Sequence, residues 1–223
     1  MRHFRLAVFL STLILAFAGS ALADTVVNMS FIGPGGNNSG GVYTYPYNFI
    51  VTPGGPAALI CDAFDNEVTA GETWTATVNT LTGGNGLFAS QADSLKNYKA
   101  AGLIFQGIVN GTIDANLGNW AIWGLFSADA KTNSYYQSSG AALVAFFYQQ
   151  CAASTPNSAF SNLVLYTPIA GTQSWGGLPQ EYIGLITVPE PAEIALMLLM
   201  VIGGVMGFAF RQRLGLKLAV AQA

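Results

Sequence analysis

The sequence predicts an α+β fold: a β-rich extracellular domain with a helical insert, followed by one C-terminal transmembrane helix. Three observations predict it. Short segments rich in β-branched and aromatic residues lie toward both ends of the body, 24–187, and one of them, 73–80, alternates with a period of two. In its middle the apolar residues recur at helical spacing. Beyond the body an apolar run holds no charge between Glu193 and Arg211.

The strands come first. Residues 25–32 and 42–52 are rich in β-branched and aromatic residues and predict two strands, with the glycine-rich segment 33–41 as the loop between them. Residues 57–61 and 73–80 predict two more. In the second, Trp74, Ala76 and Val78 share one face and threonines the other. The period then changes. After Ser90-Gln91-Ala92-Asp93, the spacing of Leu95, Tyr98, Ala101 and Ile104 predicts a helix. Residues 114–126 and 138–152 predict two further helices, and 162–167 and 181–187 return to strands. Strands, then helices, then strands indicate α+β rather than alternating βαβ units.

The first 23 residues read as a signal peptide. Arg2 and Arg5 form a positive start, Leu6 to Phe17 an apolar stretch, and Ala21 and Ala23 the small residues of a cleavage site after Ala23. The apolar run at the other end, 194–210, would span about 25 Å as a helix, at the short end of what crosses a bilayer. Arg211, Arg213 and Lys217 follow it, so the positive-inside rule places 214–223 in the cytoplasm and the body outside. Gly203 and Gly207 within the run fit either close helix docking or the ordinary abundance of glycine in membrane helices.

Pro189-Glu190-Pro191 precedes this run, and its prolines keep the approach to the helix extended. A Pro-Glu-Pro segment, one membrane helix and a basic stop, together spanning 188–213, resemble the PEP-CTERM sorting signal of bacterial surface proteins. The resemblance implies recognition by exosortase, a membrane cysteine protease-transpeptidase that removes the tail. It also implies a Gram-negative producer and delivery of the body to the cell surface or an extracellular polysaccharide.

Composition limits the chemistry. The body carries nine acidic residues against Lys96, Lys99 and Lys131, a net charge near −6 that argues against nucleic acid as a partner. The single histidine, His3, lies in the signal peptide, so the body is expected to lack Ser-His-Asp and Cys-His catalysis and the usual zinc sites. No catalytic residue, metal or cofactor is expected, and the body is read as non-enzymatic. Cys61 and Cys151 form an even pair in an oxidising compartment, which suggests a disulfide or two free thiols.

Cys61-Asp62 at the end of a strand, with Asn119-Trp120-Ala121-Ile122-Trp123 on a downstream helix, resembles the thioester domain of bacterial surface adhesins. There a cysteine and a glutamine form an internal thioester that captures an amine. This chain has Asn119 where the family has glutamine, one methylene shorter. The resemblance therefore implies a domain of that shape without the bond, with Trp120 and Trp123 as core aromatics. Asp62, Asp65, Glu67 and Glu72 fit a calcium loop or a solvated turn. Tyr43, Tyr45, Tyr47, Tyr135, Tyr136 and Trp175 fit sugar stacking or strand packing. Asn28-Met29-Ser30 and Asn110-Gly111-Thr112 match a glycosylation pattern that a bacterial chain would leave unused.

Overall fold

The computed structural model describes residues 25–186. The signal-cleavage residues Ala21 and Ala23, the sorting motif Pro189, Glu190 and Pro191, the expected span 194–210, and Arg211 and Arg213 lie outside the described residues. Among the described residues no helix is long and apolar enough to cross a membrane.

The body is α+β. Its strands are β1 (Thr25–Pro34), β2 (Asn38–Ser39), β3 (Val42–Tyr43), β4 (Tyr47–Thr52), β5 (Gly55–Cys61), β6 (Thr73–Thr80), β7 (Leu163–Pro168) and β8 (Tyr182–Leu185). Six of them close into an antiparallel barrel in the order β1-β4-β5-β8-β7-β6. Side chains on a strand alternate between faces, and the barrel uses that alternation. β4 buries Tyr47, Phe49 and Val51 and exposes Asn48, Ile50 and Thr52. β6 turns Trp74, Ala76 and Val78 inward, as its threonine alternation predicts. The expected strand 42–52 is two strands, because Pro46 falls between them and proline cannot donate to a ladder. β3 folds back on β2 instead, forming a small separate ribbon.

The helical layer is inserted between β6 and β7. It holds α1 (Ser94–Val109), α2 (Ala115–Phe126), the short α3 (Ala128–Thr132) and α4 (136–151). α4 is π-wound over Tyr136–Gly140 and Ala145–Cys151, with one α turn between. α2 starts where Asp114 accepts a hydrogen bond from the Leu117 N–H over 3.0 Å, filling one of the free donors at a helix N-terminus. α3 starts in the same way at Ser127.

α2 has no solvent-facing side over Gly118–Phe126, because it is the wall between two cores. Trp120 and Trp123 pack with Phe49, Leu59, Cys61, Trp74 and Tyr182 of the barrel interior. Ala121, Ile122 and Leu125 pack with Ile104 and Phe105 of α1. A helix that is apolar all round belongs in a protein interior. Both tryptophans are core residues as expected, and truncating either to alanine would cost about 3–5 kcal/mol.

Candidate functional site

β5 ends at Cys61, and α2 crosses that end. The Asn119 side chain donates from Nδ2 to the Cys61 carbonyl over 3.0 Å. Its Oδ1 accepts from the Tyr45 N–H over 2.8 Å. One turn further along α2, Trp123 Nε1 donates to Cys61 Sγ over 3.4 Å. The structure thus brings Cys61 and Asn119 together. Both ends of the Asn119 amide are committed to main chain, so the side chain braces the 44–46 turn against the end of β5.

Cys61 is completely buried, and its thiol is free rather than one half of a disulfide. The Cys151 side chain lies outside the described residues. Burial pushes the Cys61 thiol well above its ordinary pKa, and the neighbouring Asp62 carboxyl pushes in the same direction. The thiolate is the nucleophilic form, so this cysteine is held in its inert state.

Asp62 follows directly. With Glu72 it corrects the expectation of one acidic turn in solvent, because both are buried while Asp65 and Glu67 are exposed. Among the described residues no group of acidic, histidine or cysteine side chains is arranged to hold a metal. Neither Asp62 carboxyl oxygen meets a donor, and its neighbour is the Glu181 carboxylate. Glu181 accepts from Tyr98 Oη over 2.5 Å, from Thr167 Oγ1 and from the Leu87 N–H over 2.7 Å. Burial raises the Glu181 carboxyl, and those donors offset part of that rise. Burial first, and then the Glu181 charge, hold the Asp62 carboxyl well above the usual range. Burial and the second carboxyl therefore both favour the neutral form of Asp62. Nothing in the sequence singled out Glu181. The available signal was an acidic residue heading an otherwise apolar strand, Tyr182-Ile183-Gly184-Leu185.

A cleft of about 730 Å³ lies beside the buried Trp123. Tyr43, Tyr47, Phe31 and Phe64 share its walls with Trp123, and Asp65, Glu67 and Asp129 also line it. Phe64 lies against both α2 tryptophans, with ring centroids 5.5 Å from Trp120 and 5.2 Å from Trp123. Tyr47 Oη donates to the Tyr43 carbonyl over 2.5 Å, tying the β2–β3 ribbon to the barrel. Of the aromatics considered for sugar stacking, Tyr43, Tyr135 and Trp175 are exposed, Tyr45 and Tyr136 half-buried, and Tyr47 buried. Only Tyr43 and Tyr47 of these line the cleft.

No family model matches this chain, and neither a curated protein nor a solved structure matches it.

Proposed function

We propose that this chain is an exported bacterial surface or extracellular-matrix protein. Exosortase would sort and process it through Pro189-Glu190-Pro191, the helix 194–210, and Arg211 and Arg213. Its body would work by binding or by building structure, not by catalysis. The precursor is held in the membrane by its C-terminal helix, and the released body joins the cell surface or the extracellular polysaccharide.

The observation that carries the non-enzymatic role is the closed state of Cys61. Its thiol is buried and protonated, and Asn119 is engaged at both ends of its amide. The second reading, an adhesin that holds a glycan or protein partner without a covalent bond, is favoured by the aromatic cleft beside Trp123. Ligand sites are typically concave and apolar with a few polar groups that set orientation.

Intact mass of the protein recovered from the native producer tests the sorting. A new C-terminus near Val188 is expected, and a chain still ending at Ala223 would overturn it. A glycan array tests the binding. Signal that falls when Phe64 or Tyr43 is changed to alanine supports the adhesin, and silence on every glycan leaves the structural role.

A further inference from the structure

The cleft beside Trp123 carries charge of one sign. Its accessible aromatic wall is Tyr43 and Phe64, and Asp65, Glu67 and Asp129 line it without a lysine or arginine. The carboxylates come from two elements, the β5–β6 loop and the first turn of α3. Asp65 and the loop that carries it are held by the fold. Ser127 Oγ donates to Asp65 Oδ1 over 2.7 Å. Asn66 Nδ2 donates to the Pro179 carbonyl over 3.1 Å, and Gln180 Nε2 returns a bond to the Asn66 carbonyl over 2.6 Å.

The lysines of the described residues are engaged elsewhere. The Lys96 ammonium sits 3.9 Å above the centre of the Tyr148 ring. Lys99 donates to the Thr155 carbonyl over 2.8 Å. Lys131 lines a different hollow, with Gln91 and Asn97.

We propose that this cleft binds a saccharide bearing protonated amines, a deacetylated amino-sugar chain; this rests on the binding role proposed above. Carboxylates attract an ammonium group, and the faces of aromatic rings attract it as well. The same faces stack on the apolar side of a sugar ring. The volume of 730 Å³ falls within the roughly 300–1,000 Å³ of small-ligand sites. A bare metal ion suits the cleft less well, because no set of ligating side chains converges.

Calorimetry on the full chain in neutral detergent, in weakly acidic buffer of low ionic strength, tests the idea. The probes are β-1,4-linked hexamers of glucosamine, N-acetylglucosamine and glucose, with a lysine hexapeptide as the non-sugar amine. The glucosamine hexamer is expected to bind about tenfold tighter than the other three, and the double variant Glu67→Gln, Asp129→Asn to lose about tenfold in its affinity. The variant's thermal midpoint should stay unchanged, since both residues are exposed. Equal binding of the neutral hexamers would overturn the charge preference and leave the glycan role standing. A lysine peptide that binds as tightly would overturn the sugar. Undiminished glucosamine binding by the double variant would overturn the site. Failure of every hexamer and of the whole glycan array would remove both this proposal and the binding role beneath it.

Discussion

Asp62 and Glu181 share one buried site where β5 meets β8, and the Asp62 N–H donates to the Glu181 carbonyl over 3.2 Å. Two buried carboxyl groups neighbour each other there, and both are raised above the ordinary carboxylate range.

Stability should therefore fall as pH rises. In the unfolded chain Asp62 loses its proton near the ordinary value of about 3.9. In the fold it is held well above that by burial and by Glu181. Its contribution is complete below the unfolded value and is lost as pH climbs to the folded one. Glu181, raised by burial, acts in the same direction. Each group adds a slope of at most about 1.4 kcal/mol per pH unit. Asp62→Asn keeps a donor toward Glu181 and removes that titration. Its thermal midpoint should exceed that of the wild type in neutral buffer and match it near the unfolded pKa. A wild-type midpoint that is flat or rising over this range would contradict the raised acid pair.

Asn119→Ala would leave the Cys61 carbonyl and the Tyr45 N–H without their present partners. Unpaired buried groups cost about 1–3 kcal/mol each, so urea unfolding should show a loss of about 2–5 kcal/mol. Asn119→Asp keeps an acceptor for Tyr45 but turns the other oxygen toward the Cys61 carbonyl, and should also destabilise. A neutral Asn119→Ala would mean that the brace does not exist.

Cys61 should resist alkylation in the native protein and react once the chain is unfolded in denaturant without reductant. Peptide mapping assigns the label. Labelling of Cys61 before unfolding would contradict its burial, and no labelling afterwards would show that its sulfur is bonded.

Gly102 marks a close approach of α1 to its neighbours. A Cβ there would overlap Leu81 and sit 2.9 Å from Phe160 Cδ1 and 3.1 Å from Leu163 Cδ1. All three neighbours are buried, so they cannot swing into solvent. Gly102→Ala should cost about 1–3 kcal/mol by overpacking, despite the better helix propensity of alanine, as read from chemical unfolding.

Local pattern made much of this fold legible. The alternation in 73–80 matches β6, and the apolar run from Leu117 to Leu125 matches α2. Barrel closure was not legible, because pairing β6 with β7 and β5 with β8 is decided by contacts remote in sequence. The same remoteness hid the acid pair. Asp62 follows Ile60 and Cys61 in a run buried without alternation, since the barrel covers one side of that strand end and the helices the other. At the candidate site, Cys61 and Asn119 could be paired from sequence. The cleft could not, because its walls come from β1, the β2–β3 ribbon, the β5–β6 loop, α2 and α3.

The position of the helical layer, between β6 and β7 in the chain, also sets an order of events. β4 and β5 are joined by a short turn and can find each other quickly. The last seams must wait until the segment from Thr80 to Leu163 has collapsed, since long-range pairing gains nothing until that chain entropy has been surrendered. α2 has no polar side on which to rest in water meanwhile. The sheet is thus unable to close ahead of the helices, and the tryptophan face of α2 has nothing to lie against until the sheet is there. Assembly is one cooperative step, and a nascent chain caught before it displays the two tryptophans that the finished protein hides.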